Sequence, residues 1–224
     1  MRDALPMDCA THQSSFYKSC RTIVRVIARI YFRWRIHNAE GIPSTGPVII
    51  ASNHVSFLDP PLIGSAVERT VHFLARKSLF KIPLVGRCIR LLNSVPVDRD
   101  GGGGAGLKAI LDRLDAGCAV VLFPEGTRSP DGRPARARAG VGLTVVKSGA
   151  LVVPVRIVGA FEACGRGHRV PRPHPIDIVF GATLDFAVLR AEAENCDKAR
   201  LKVIYQEVAD AIMNAIASLE PPTR

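Results

Sequence analysis

His54 and Asp59 are the two groups in this 224-residue chain whose types and spacing most directly suggest chemistry. On an uninterrupted helix, residues five apart diverge by about 140°, so a helix alone would not pair them. Asp59-Pro60-Pro61, however, reads as a helix start with Asp59 at or near the cap and proline following. A turn before that start can fold His54 back toward the carboxylate. An Asp that accepts from one imidazole nitrogen fixes the tautomer and leaves the other nitrogen as a base. No G-x-S-x-G nucleophile elbow is present, so the base would act on a substrate hydroxyl, a contribution typically of ~10²–10⁴-fold. Taken alone, the pair fits a helix cap beside a loop histidine better than a catalytic pair.

Other segments change that balance through their positioning. The apolar run Val48-Ile-Ile-Ala51 leads into Ser52-Asn53-His54-Val55-Ser56-Phe57-Leu58-Asp59. Val95-Pro-Val97 leads into Asp98-Arg99, and Val120-Val-Leu-Phe123 into Pro124-Glu125-Gly126-Thr127-Arg128-Ser129. Each apolar run reads as a strand. In open α/β sheets ligands bind outside the carboxyl ends of strands, so the three polar segments are expected to converge on one cleft. Arg99 and Arg128 follow strand ends, where a guanidinium fork matches a phosphate bidentately. Gly126 permits close backbone approach, so the turn through Glu125 and Thr127 can present amide donors. Glu125 is expected to orient an arginine or to accept from a substrate hydroxyl.

Around these segments the sequence alternates strands and helices. Strands are expected near 48–51, 71–75, 94–97, 119–123, 151–158 and 176–180, with helices near 82–92, 107–115, 140–147 and 198–219. The pattern implies an α/β fold, a largely parallel sheet flanked by helices. An N-terminal basic amphipathic helix precedes it: Arg21, Arg25, Arg29 and Arg33 recur every four residues, with Ile23, Val26, Ile27, Ile30, Tyr31 and Trp34 opposite. At 3.6 residues per turn this gives one arginine face and one broad apolar face. The charges break any ~20-residue apolar run, which disfavours a membrane-spanning helix. They suit the interfacial plane, where arginines meet anionic lipid phosphates. Three regions follow: an irregular segment over 1–19, an amphipathic membrane-contacting helix over 20–40 and a single α/β domain over 41–224.

Composition supports a globular chain with an anionic partner. Hydrophobic residues make up 47% and charged residues 22%, which excludes a disordered or low-complexity chain. The formal net charge is +10, so nucleic acid, acidic membrane or a phosphorylated substrate are the candidate partners. Aromatic residues are 6% and do not interleave with the basic runs Arg133–Arg138 and Arg166–His174. Stacking platforms are therefore missing and nucleic acid is not expected; the two runs better suit anionic lipid or the phosphates of a thioester donor. The six cysteines are scattered, with no C-x-x-C pair; they read as a reduced set, without a zinc site. Residues 101–106 formally fit G-x-G-x-x-G. They sit mid-chain, after an Asp98-Arg99-Asp100 interruption, and read as a connector or lid beside the site rather than a dinucleotide loop. His37 and His72 are expected to be structural.

In order along the chain come Asn53-His54-x-x-x-x-Asp59, Lys77-Ser-Leu79-Phe-Lys-Ile-Pro83-Leu-Val-Gly86, Val95-Pro-Val-Asp98-Arg99, Phe123-Pro-Glu-Gly-Thr-Arg-Ser129 and Val153-Pro154-Val155. This order resembles the glycerolipid acyltransferase family, whose best-known members are 1-acyl-glycerol-3-phosphate acyltransferases. The resemblance runs from about Gly41 to Phe161. It implies transfer of a fatty acyl group from a coenzyme A or acyl carrier protein thioester to the free hydroxyl of a lysophospholipid, most simply 1-acyl-glycerol-3-phosphate, giving phosphatidic acid. It implies His54 as general base, Asp59 as its orienting partner, and Lys77, Arg99, Glu125, Gly126, Thr127 and Arg128 as acceptor-binding residues. It implies no metal and no cofactor beyond the thioester co-substrate, and a place on the cytoplasmic face of a membrane. Two departures stand out. Asn93 occupies a position where the family usually has glycine, and Arg138-Ala139-Gly140 replaces a basic-basic-glycine step. These bear on the acceptor, which in relatives of this size includes lyso-ornithine lipid. The contrasting reading is a non-catalytic basic binder of membrane or nucleic acid, indifferent to His54 and Asp59 and steeply salt-sensitive.

Overall fold

In the computed structural model, Val48, Ile49, Ile50 and Ala51 alternate between two faces of a sheet, and all four are fully buried. Residues 14–97, 104–168 and 170–223 are described. Among them, seven strands form one sheet: β1 (Arg35–His37), β2 (Val48–Ser52), β3 (Val71–Arg76), β4 (Ser94–Val97), β5 (Ala119–Leu122), β6 (Leu151–Val158) and β7 (Asp177–Phe180). The spatial order is β1-β7-β6-β2-β5-β3-β4. All pairings are parallel except β6 with β7. Parallel strands need crossovers, and the crossovers cover both faces. That is why β2 and β5 are continuous apolar runs.

On one face Val48, Ile50, Val121, Val153 and Val155 pack against Ala28, Phe32, Leu62 and Ile63. These belong to α1 (Ser15–Ile30), the turn after it, and α2 (Asp59–Ala66). On the other face Ile49, Ala51, Val120, Leu122 and Val152 meet Ile110, Leu114, Val141, Val145, Ile204, Val208, Ile212 and Ile216. These come from α4 (Gly104–Asp115), α5 (Ala139–Ser148) and α8 (Lys198–Ser218). Three further helices are α3 (Pro83–Leu91), α6 (Ala160–Cys164) and α7 (Ala187–Asn195). Truncating one such fully buried isoleucine to alanine costs ~2–5 kcal/mol, so the two layers hold the strand ends in a fixed relation.

The expected alternation is present, with corrections at the N-terminus. The first helix starts at Ser15, not Cys20, capped by Ser14, whose hydroxyl accepts from the Tyr17 amide at 3.1 Å. It ends at Ile30. Arg33 takes a left-handed φ of 45°, which turns the chain so that Arg35–His37 pairs with β7 instead of continuing the helix. The arginine stripe is also not all outward. Arg21 donates to the Glu68 carbonyl at 2.7 Å, and Arg25 donates to the Ser65 carbonyl and the Glu68 carboxylate, each at 2.7 Å. These contacts fasten α1 to the end of α2. Ile23, Val26, Ile27 and Ile30 are exposed. The outward face of α1 is thus apolar, flanked by exposed Arg29 and Arg33.

Residues 1–13, expected to be irregular, lie outside the described residues, as do Asp98–Gly103, including Arg99 and most of the glycine run. Gly104 already belongs to α4. Among the cysteines, Cys20, Cys88, Cys164 and Cys196 are free thiols. Cys118 is disulfide-bonded, contrary to the all-reduced expectation. His37 pairs with Asp177 at 3.0 Å on the β1–β7 edge, a structural role.

Candidate active site

β2 delivers Asn53 and His54 at its carboxyl end. Asn53 is buried, donates to the Ile157 carbonyl at 3.0 Å and accepts from the Ile157 amide at 2.8 Å. This paired bond continues the β2–β6 ladder one step beyond the last strand pair and fixes where the chain leaves the sheet. The chain then turns through Val55–Leu58 into α2. Asp59, with no exposed surface, is the first residue of α2. Its Oδ2 accepts from the Val55 and Ser56 amides, each at 2.7 Å, and lies 2.7 Å from His54 Nδ1. One carboxylate oxygen thus closes the turn and holds the ring, as the proline-flanked helix start suggested. Because a carboxylate only accepts, Nδ1 carries the proton and Nε2 is the basic nitrogen.

The β5 end supplies the walls. Phe123 stacks on the His54 ring at 3.9 Å between centroids and 18° between planes. The His54 amide donates to Glu125 Oε1 at 3.3 Å, and the His54 carbonyl accepts from the Ser129 amide at 2.7 Å. The histidine backbone is therefore gripped on both sides by the Phe123–Ser129 segment. Glu125 is 3% exposed and its Oε2 is buried without a partner. Burial chiefly raises its pKa, to about 7, with the Asp59 charge adding, while bonds from the His54 and Ala135 amides oppose the shift. The carboxyl expected to meet an arginine or a substrate hydroxyl supports the backbone of the base through Oε1. Gly126 has φ +71°, and a Cβ there would meet the Arg138 side chain at 2.9 Å. Its amide closes a turn onto the Phe123 carbonyl at 2.9 Å, so within the turn expected to present donors this amide is already used.

A cavity of about 680 Å³ is lined by His54, Phe123, Thr127 and Arg128 together with apolar side chains that include Val24 of α1, Pro60 and Pro61 of α2, and Phe73 and Leu74 of β3. That size and lining suit a flexible apolar ligand with a polar end. Arg128 stacks over Phe57, its guanidinium carbon 3.4 Å from the ring centroid. Burial is the main cause lowering its pKa from the usual arginine value. Lys77 is exposed and does not line the cavity; its neighbour Arg76 does. The structure therefore brings His54, Asp59, Glu125, Gly126, Thr127 and Arg128 together, leaves Lys77 outside, and does not describe Arg99. Asn93 has φ +58°, a left-handed position that asparagine tolerates and glycine adopts freely, which accounts for that departure.

Two contributors, Phe57 and Phe123, are not singled out by the sequence. They carry no signal beyond being apolar inside polar segments. Arg166, which also lines the cavity, belongs to the basic run that the sequence assigns to anionic lipid or to the phosphates of a thioester donor, without placing it beside His54.

Comparison with known proteins agrees with this geometry. The chain is 33% identical over 132 residues to a chloroplastic 1-acyl-sn-glycerol-3-phosphate acyltransferase of Arabidopsis thaliana, covering 58% of this chain but only 37% of that protein. It is 27% identical over 178 residues to the 1-acyl-sn-glycerol-3-phosphate acyltransferase of Bacillus subtilis, covering 77% of this chain and 86% of the relative. The crystal structure of the 1-acyl-sn-glycerophosphate acyltransferase PlsC from Thermotoga maritima matches with a TM-score of 0.65 and 26% identity, over 91% of this chain and 83% of that one. The Acyltransferase family pattern matches residues 33–158, a span that contains the His54–Asp59 pair and the whole Phe123–Ser129 segment. With that span exceeding half its length, the chain belongs to the Acyltransferase family.

Proposed function

We propose that this protein transfers a fatty acyl group from an acyl thioester, of coenzyme A or acyl carrier protein, to the free hydroxyl of 1-acyl-glycerol-3-phosphate, forming phosphatidic acid. The observation that carries the reading is His54 Nδ1 held 2.7 Å from Asp59 Oδ2 in a cavity that also contains Arg128. The acceptor hydroxyl gives its proton to His54 Nε2 as its oxygen attacks the thioester carbonyl. The tetrahedral intermediate collapses by breaking the C–S bond, and the departing thiolate takes the proton back from the imidazolium. Asp59 steadies the imidazolium between these steps. The thioester is the one co-substrate the scheme needs. The apolar walls receive acyl chain, and Arg128 pairs with the acceptor phosphate, with Arg99 as a further proposed phosphate ligand.

The protein would work at a membrane surface, on the cytoplasmic face where soluble thioesters are supplied. No helix among the described residues is long and apolar enough to cross a membrane. The exposed isoleucines of α1 suit insertion into the interfacial layer, with Arg29 and Arg33 rather than Arg21 and Arg25 left to meet anionic headgroups. The guanidinium in the cavity favours a phosphate-bearing acceptor over lyso-ornithine lipid.

The test is incubation of purified protein with labelled acyl-CoA or acyl carrier protein thioester and a panel of lyso-lipids, with products identified by mass. Phosphatidic acid as the main product supports the reading. Acylated ornithine lipid, or no acyl transfer to any acceptor, overturns it.

A further inference from the structure

Arg166 stands two residues beyond α6 and is exposed. Its position is nonetheless fixed. Gly165 forms an antiparallel bridge with Ser56, and the Ser56 hydroxyl donates to the Cys164 carbonyl at 2.6 Å. A Cβ at 165 would lie 2.6 Å from the Phe161 ring and 2.7 Å from the Phe161 carbonyl oxygen, so glycine is required for this close passage. Ser56 lies in the turn between His54 and Asp59. The segment carrying Arg166 is therefore pinned to the turn that builds the base, across 108 residues of sequence.

Arg166 lines the same cavity as His54 and Arg128. Like charges on one wall repel, and after burial the Arg166 charge is the next cause lowering the Arg128 pKa. Among the described residues neither guanidinium forms a salt bridge. Arg128 Nη1 is buried without an acceptor, and an unsatisfied buried donor is unfavourable. Two unpaired guanidiniums and an idle buried donor beside a base describe a site completed by an anion. We propose that Arg166 and Arg128 together grip the phosphate monoester of the acceptor, so that Arg166 determines specificity for phosphate-bearing lyso-lipids. The inference rests on the acyl-transfer reading above and adds a residue that none of the motifs includes. Two planar forks offer enough N–H donors to satisfy a dianion bidentately from both sides. The dianion also neutralises their mutual repulsion, which strengthens the grip.

The test compares wild type with Arg166→Gln and Arg166→Lys on lysophosphatidate and on phosphate-free monoacylglycerol. Each acceptor is paired with acyl-CoA and with an acyl N-acetylcysteamine thioester, which carries no phosphate. Loss of one charge-assisted contact predicts a KM for lysophosphatidate raised about tenfold or more in Arg166→Gln, with kcat within about threefold and monoacylglycerol kinetics unchanged. Arg166→Lys is expected to recover part of the loss. An unchanged KM for lysophosphatidate overturns the proposal. So does a raised KM confined to acyl-CoA that vanishes with the phosphate-free donor, which would assign Arg166 to the thioester. Should wild type fail to acylate lysophosphatidate, the functional reading fails by itself. Calorimetric binding of glycerol 3-phosphate then decides the clamp: weaker binding to Arg166→Gln supports it, and equal binding overturns it.

Discussion

The backbone amide of His54 donates to Glu125 Oε1 at 3.3 Å, so a carboxyl 71 residues away holds the base from behind. That carboxyl has a pKa of about 7 against an ordinary 4.5, chiefly through burial. Between those values the folded protein binds a proton that the unfolded chain has released. Stability from this group is therefore full below about 4.5 and is lost as pH rises through about 7. Glu125→Gln, which keeps an acceptor for the His54 amide, is expected to remove ~1–3 kcal/mol of that pH dependence. Urea midpoints measured from pH 4 to pH 8 for both proteins check this.

Asp59 serves the turn and the ring with one oxygen, and the two roles separate by mutation. Asp59→Ala leaves the Val55 and Ser56 amides without their acceptor, a loss of ~1–3 kcal/mol per unsatisfied buried group. His54→Ala removes no such acceptor. Thermal unfolding is expected to show a clearly lowered Tm for Asp59→Ala and a small change for His54→Ala, while both lose activity. Equal melting temperatures for the two variants would contradict the double role.

Phe123 holds the plane of the His54 ring. A stacked pair contributes ~0.5–1.5 kcal/mol beyond its buried area. Phe123→Leu is expected to lower kcat by about threefold to tenfold with KM for the thioester little changed. Steady-state kinetics separate the two parameters, and a change confined to KM would contradict the positioning role.

Asn93 occupies a left-handed backbone position. Asn93→Gly is expected to be neutral in stability, and Asn93→Val to cost ~1–2 kcal/mol, because a β-branched side chain resists positive φ. Chemical denaturation of the two variants distinguishes them.

The outward isoleucines of α1 predict a membrane dependence unlike that of an arginine stripe. Changing Ile23, Ile27 and Ile30 together to serine is expected to abolish sedimentation with anionic vesicles while leaving the fold intact, since all three are exposed. Arg25→Gln is expected to act on stability, because it removes the contacts from Arg25 to the Ser65 carbonyl and the Glu68 carboxylate that fasten α1 to α2. Vesicle co-sedimentation read beside Tm checks both halves.

What the sequence made legible was local. β2 and β5 are unbroken apolar runs because both their faces are covered, and the Asp59-Pro60-Pro61 start marked the turn that pairs Asp59 with His54. What it concealed was long-range. The four-residue recurrence of arginines signalled an amphipathic helix but not which stripe would dock, since the partners of Arg21 and Arg25 lie 40 to 47 residues away. β1 is three residues in a charged segment and exists through its pairing with β7. Nothing local to Glu125, which the sequence suggests orients an arginine or accepts from a substrate hydroxyl, shows that its Oε1 also accepts from the His54 amide, 71 residues away. Lys77 followed from motif order, and the exposed turn that holds it leaves Arg76, one residue earlier, at the cavity.

Removal of an alcohol proton by the ring of His54 is measured by single-turnover acyl transfer to lysophosphatidate with wild type and His54→Ala at equal, saturating acceptor. The expected rate in the variant is reduced by ~10²–10⁴-fold, with Tm little changed and glycerol 3-phosphate binding preserved. Transfer at the wild-type rate by a folded His54→Ala protein would contradict it.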